Sequence, residues 1–159
     1  MTSHNHPYGM HADREVNDVR DFHEKFDLLL GMQPRHLTRR KLQERIECLQ
    51  EELTEFIEAC DKQDLAAQAD ALIDLVYFAK GTAVMLGLPW RDLWDDVQRA
   101  NMAKVRGETK RGHKVDVCKP AGWQGPQTRL ILEGYSYTTD TYHLNGTFME
   151  SFCHDDKPV

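Results

Sequence analysis

Apolar residues recur every three or four positions through the first two thirds of the chain, and the rhythm is lost in the last third. From Asp13 onward, Val16, Val19, Phe22, Phe26 and Leu29 fall along one face of a helix. That helix is expected to close near Gly31, where glycine can take a left-handed conformation, with Pro34 following. Thr38 is a plausible N-cap for a second helix. Its stripe is Leu42, Ile46, Leu49, Leu53 and Ile57, ending near Asp61. A third helix should span about Asp64 to Leu86 and stop at Gly87-Leu88-Pro89. A fourth covers Trp90 to about Lys104.

Beyond Arg106, glycines and prolines at Gly107, Gly112, Pro120, Gly122, Gly125 and Pro126 replace the periodic pattern. The final stretch, LILEGYSYTTDTYHLNGTFMES, is rich in aromatic and β-branched residues, and its Asn145-Gly146 pair is a type I′ turn signal. The pattern therefore predicts an all-α protein: a helical bundle of about four helices, with an irregular C-terminal segment that can hold one β-hairpin. Residues 1–12 read as a flexible leader, 13–106 as the helical core, and 107–159 as a loop-rich extension of the same domain.

The third predicted helix carries the first sign of chemistry. It is apolar nearly all the way round, through Leu72, Ile73, Leu75, Val76, Tyr77, Phe78, Ala79, Val84, Met85 and Leu86, which predicts burial. Yet Asp70 and Asp74 lie one turn apart on one of its faces. Tyr77 and Phe78 follow one turn beyond, so the Asp74 carboxylate is expected to be shielded from water. Burying an ionised carboxylate without a partner is costly, and two side by side are worse. On the second helix Glu51, Glu52 and Glu55 share an arc opposite the apolar stripe. Glutamates so placed usually form a solvated face, and the aspartates alone could pair with Arg45 or Lys80. A divalent cation held between the two clusters accounts for both at once. Five carboxylates without imidazole or thiol are a hard oxygen set, suited to Mg²⁺ or Mn²⁺ and not to structural zinc. So many acids could hold two or three ions.

Charge narrows the partners. A formal net charge of −6 argues against binding duplex DNA through its phosphates, but a metal would let the protein hold an anion. Clustered Mg²⁺ points to phosphate chemistry, in which metals clamp oxygens and generate a nucleophile. Asn101 and Lys104 are three residues apart and can point the same way, an arrangement that suits triphosphate oxygens. Lys114 and Lys119, in a glycine-containing loop, could add charge, although each lysine alone reads equally as a surface residue. Phe22 and Phe26 are candidates for a wall against the nucleobase, or ordinary core residues.

No uninterrupted apolar run of membrane length is present, since Ala71 to Leu88 carries Asp74 and Lys80. The N-terminal stretch lacks the apolar segment of a signal peptide. Cys48, Cys60, Cys118 and Cys153 form no CxxC pair and read as free thiols in a reducing cytoplasm. His4, His6 and His11 lie in a polar leader without ligand-spaced cysteines and carry no metal-site signal.

Together these features resemble the MazG-like all-α NTP pyrophosphatases, over roughly residues 15–126. The segments that carry the resemblance are DFHEKFD at Asp21–Asp27, EELTE at Glu51–Glu55 and DALIDLVYFAKGTA at Asp70–Ala83. GLP at Gly87–Pro89 and NMAK at Asn101–Lys104 complete it. The chain is also similar to the MazZ-type enzymes of phages that replace adenine with 2-aminoadenine. The resemblance implies a helical bundle that forms a dimer or tetramer and cleaves an NTP between the α- and β-phosphates. For a MazZ-type enzyme the implied substrate is dGTP, with GTP beside it, in the host cytoplasm. By position, Glu51, Glu52, Glu55 and Asp74 match the family's metal ligands, with Glu51 or Glu52 polarising the attacking water. The usual Glu-x-x-Asp motif would place an acid at Ala71, and here Asp70 must serve instead. Two other readings compete. One is the same fold acting on dUTP, dCTP or phosphoribosyl-ATP. The other is a non-catalytic helical interaction module whose acids are only a solvated face.

Overall fold

The computed structural model describes residues 13–107 and 116–137. Five helices and one small sheet occupy these residues: α1 (Arg14–Lys25), α2 (Arg39–Asp61), α3 (Leu65–Met85), α4 (Trp90–Met102), β1 (Val105–Gly107), β2 (Asp116–Cys118) and α5 (Thr128–Tyr137). The expected all-α class holds, and the hairpin among the described residues lies at β1–β2, ahead of the stretch 130–151 where the sequence pattern places one. The strands pair antiparallel, Val105 with Cys118 and Gly107 with Asp116. The turn expected at Asn145-Gly146 and the leader 1–12 lie outside the described residues.

Helix ends are set by local hydrogen bonds. Thr38 caps α2 by accepting from the Lys41 amide, and Asp64 caps α3 by accepting from the Ala66 and Ala67 amides. Three helices close with the same paired hydrogen bonds and one left-handed residue. After α2 this residue is Gln63, with the Asp64 amide returning to the Ala59 carbonyl; after α3 it is Gly87, with Leu88 returning to Ala83. The sequence expectation for α1 needs correction. The helix ends at Lys25, where Asp27 takes the left-handed conformation and Leu28 donates back to His23.

Gly31 serves a different purpose. Its amide donates to the Val84 carbonyl, and a Cβ placed on it would stand 2.3 Å from the Gly87 backbone nitrogen. The link after α1 therefore lies backbone to backbone against the turn that ends α3. Lys80 ties the other end of α1 to α3. It is buried and pairs with Asp13, the α1 N-cap, and with Glu15.

The centre of the fold is the α2–α3 hairpin, joined by only Lys62, Gln63 and Asp64. Two bridges fix its register: Gln68 Nε2 to the Ala59 carbonyl (3.3 Å) near the turn, and Arg45 Nε to Thr82 Oγ1 (3.1 Å) far from it. The core is small and built largely from alanines, Ala59, Ala71 and Ala83, beside Val19, Val84 and Met85. Side chains so short let the helices approach closely. α3 packs on α1 and α2, and its third side is open. The all-round burial expected for α3 is thus not reached in one chain: Leu72, Ile73 and Val76 are exposed, Ile73 at 67%.

The stretch from Thr128, whose aromatic and β-branched composition suggests a strand, is helical as far as Tyr137. Tertiary contacts override the local preference. The Tyr135 hydroxyl donates to Asp92 on α4, an attachment that pushes its pKa up to about 12. The Gln127 amide, just before α5, donates to Asp96.

Two substitutions test this account. Gly31→Ala forces a backbone contact apart and should cost about 1–3 kcal/mol, read by urea denaturation. Asp96 is held below the usual carboxylate range by the Gln127 amide, then by Arg99. Such a group stabilises the fold above its unfolded pKa and stops doing so as pH falls through its lowered folded value. Asp96→Asn should therefore lower Tm at neutral pH, with the gap to wild type closing as pH drops below about 4.

Candidate active site

The hairpin register decides which acids meet. Between the Ala59–Gln68 and Arg45–Thr82 bridges the stretch Glu51–Glu55 of α2 runs level with Leu72–Val76 of α3, which places Asp74 and Asp70 within about one turn of Glu52 and Glu55. The electrostatics agree. The Glu52 carboxyl, only 9% exposed, is pushed up first by burial and then by Glu55, Asp74, Glu51 and Asp70. Four of the five predicted metal-ligating carboxylates thus lie in the electrostatic field of the fifth, Glu52.

No base among the described residues neutralises them. Among the described residues none of the five forms an ion pair. The two bases that could have done so are committed elsewhere, Lys80 to Asp13 and Glu15 and Arg45 to Thr82 and the Phe78 carbonyl. One expectation is corrected: Asp74 is exposed in the single chain, as are Glu51, Glu55 and Asp70. Ala71, where a further acid would fit the usual motif, is buried against α2, so Asp70 stands on the flank of the interface.

Among the described residues no three potential ligands are already closed around one point. The donor set is nonetheless all carboxylate, unpaired, and mostly on exposed side chains free to turn inward. That fits a hard divalent cation of the Mg²⁺ type, which takes a few carboxylates and completes its shell with water and phosphate oxygen.

Aromatic residues flank the acids. Phe22 meets Tyr77, one turn from Asp74, edge to face at 5.6 Å, and Phe26 lies 4.7 Å from Phe22. Both phenylalanines are partly exposed, so neither is a core residue. On the same face of α2 as Glu52, a cavity of about 180 Å³ opens between His23, Leu28, Leu29, Arg45, Cys48 and Met85. It has room for a small ring system and not for a whole nucleotide. His23, which donates from Nδ1 to the Leu29 carbonyl, and Arg45 carry no functional signal in the sequence beyond the former's place in DFHEKFD.

The predicted phosphate ligands gather elsewhere. Lys104 donates to Asn101 Oδ1 at 2.8 Å, and both Lys104 and Lys119 lie over the ring of Trp123, at 5.9 and 4.5 Å. Among the described residues α4 packs chiefly on α5, and the acid-bearing α2 and α3 pack chiefly on each other and on α1. Lys114 lies outside the described residues. Sequence reasoning misses Trp123, although a tryptophan in the Gly- and Pro-rich segment GWQGP is the available signal.

The fold and the site are those of a helical hairpin that carries exposed carboxylates beside an aromatic patch. The family model for phosphoribosyl-ATP pyrophosphohydrolase matches residues 19–101, just over half of the chain. The chain belongs to that family, within the MazG-like all-α NTP pyrophosphatases, and is an enzyme of the nucleotide pyrophosphohydrolase class. No curated protein matches it. No helix among the described residues is long and apolar enough to cross a membrane.

If the acids repel one another in the absence of metal, Glu52→Gln should raise the Tm of metal-free protein and abolish the further rise that Mg²⁺ gives the wild type. A variant that is less stable without metal would show that Glu52 is held by partners other than a cation.

Proposed function

We propose that the protein is a Mg²⁺-dependent nucleoside triphosphate pyrophosphohydrolase that cleaves between the α- and β-phosphates to release a monophosphate and pyrophosphate. The observation that carries this reading is that Glu51, Glu55, Asp70 and Asp74 act on Glu52 while no base among the described residues pairs with any of the five. These five residues would hold two or three Mg²⁺ ions, or Mn²⁺ in their place. Such ions supply the positive charge that offsets the triphosphate and ease deprotonation of water.

The chain's own residues supply the rest. Glu51 or Glu52 takes the proton of the attacking water, whose oxygen enters in line at the α-phosphorus as the bond to the bridging oxygen breaks. Asn101 and Lys104 meet the charge that builds on the departing pyrophosphate. The base rests against Phe22 and Phe26 or in the adjoining cavity beside His23 and Arg45.

The active form in this proposal is a homo-oligomer, a dimer or tetramer. Leu53, Ile57, Leu72, Ile73 and Val76 leave apolar area open along the two acid-bearing helices, and a second copy laid there covers it.

The substrate we propose is dGTP, with GTP beside it, following the resemblance to MazZ-type phage enzymes, whose dGMP product feeds 2-aminoadenine nucleotide synthesis. The family match favours a second reading, phosphoribosyl-ATP, in which the same carboxylates release pyrophosphate from the same linkage.

Pyrophosphate release should be measured across the NTPs, dNTPs and phosphoribosyl-ATP, with Mg²⁺ and with EDTA. The expected result is metal-dependent release from dGTP and GTP, lowered about 10²–10³-fold in Asp74→Asn. Preference for phosphoribosyl-ATP would keep the chemistry and replace the substrate. Absence of release from every nucleotide would sink the catalytic reading.

A further inference from the structure

We propose that Trp123 is a positioning residue that assembles a cationic site for the pyrophosphate half of the substrate, gathering Lys104 and Lys119 beside Asn101. The inference rests on the function proposed above and extends it to a segment beyond the family match. The last four carbonyls of a helix lack partners within it. The Trp123 indole N–H donates to one of them, Ala100, at 2.7 Å, and Ala100 is fully covered.

The segment from β2 to α5 is thereby strapped across the end of α4. Arg99 Nη2 donates to the Gly125 carbonyl and the Gln127 amide to Asp96, so the strap is held at three places. Gly122, at φ +74°, makes the turn that brings the indole inward, and Gly125 closes on the edge of its ring. The ring position is over-determined by these contacts.

What the ring organises is charge. Lys119 arrives from the strap and Lys104 from the end of α4, and both ammonium groups are placed around one indole. Neither has an acidic partner among the described residues. Lys104 also occupies Asn101 Oδ1, which leaves the amide N–H groups of Asn101 as donors. Two like charges and an amide donor at one spot, in a chain of net charge −6, are the counterpart of the unpaired acids on the hairpin. A lysine–ring contact at an exposed site is weak, whereas a charge-assisted bond to a phosphate oxygen is strong. An arriving pyrophosphate group would draw both ammonium groups off the ring, which keeps them close by without neutralising them.

The test compares wild type, Lys119→Ala, Trp123→Leu and the double variant. Three quantities are read: the Kd of magnesium pyrophosphate by calorimetry, KM and kcat for the preferred nucleotide, and Tm. Each single variant should weaken pyrophosphate and raise KM about tenfold, the scale of one charge-assisted hydrogen bond. The double variant should be no weaker than Trp123→Leu alone, because Lys119 contributes only where the ring holds it. Trp123→Phe keeps the ring, loses the N–H and should fall between wild type and Trp123→Leu.

A lowered Tm with unchanged Kd and KM in Trp123→Leu would make Trp123 merely structural and overturn the inference. Additive losses in the double variant would overturn it as well. Lys119→Ala lies on the surface and keeps the test open if Trp123→Leu folds poorly. If the wild type hydrolyses nucleotides but pyrophosphate affinity ignores both residues, this inference fails and the function stands. If no nucleotide is hydrolysed while pyrophosphate binds through both residues, the function fails and the cationic site stands.

Discussion

The arrangement of α2 against α3 is the constraint on which the rest of the molecule depends. Three residues join the helices, and none is idle in the backbone. Lys62 ends α2, Gln63 takes the left-handed turn, and Asp64 caps α3. A connection this short leaves no slack for register shifts. Ala59 and Ala71 bring the axes close, and the bridges at Gln68 and Arg45 lock the two ends. Acids in the middle of both helices are then forced into one another's field. Coulomb repulsion between like charges a few ångströms apart is appreciable even with partial solvent screening. The hairpin's packing must offset it.

Among the described residues charge is sorted around this cluster. Bases near the acids are occupied: Lys80 holds the start of α1 and Arg45 bridges to α3 while lying against Phe78. Lys104 and Lys119, which have no acidic partner among the described residues, collect instead at the end of α4, around Trp123. In the proposed function this separation keeps the chain's own bases from neutralising the acids, so that metal and phosphates arriving together would link the two groups. The apolar surface left along the hairpin is why the proposed function includes a second copy.

Several of these features are legible in the sequence because they depend on neighbours along the chain. Thr38 and Asp64 cap helices by reaching two or three residues ahead, and the stripe of α2 repeats with the helical period. The grouping of Glu51, Glu52 and Glu55, and of Asp70 with Asp74, follows from that same period. In the sequence the pairing of the two groups is inferred from a buried Asp74, whereas in the fold Asp74 is exposed and what brings both aspartates into the field of Glu52 is the α2–α3 hairpin. Asp74 reads as shielded in the sequence and is not, because the apolar residues around it pack against α1 and α2 on two sides only and stay exposed on the third.

Other features are decided only when the chain folds. α1 stops at Lys25 because Asp27 accepts a left-handed backbone and frees Gly31 for contact with Gly87, a meeting of residues far apart in sequence. Thr128–Tyr137 is helical because α4 offers Asp92 and Asp96 as partners. Lys104, Lys119 and Trp123 come together through a strap whose composition reads as loop. Local periodicity determined which helices form and where each acid sits on its own helix. Which side chains meet across elements depended on hydrogen bonds and close backbone approaches that carry no periodic signature, so tertiary structure alone could decide it.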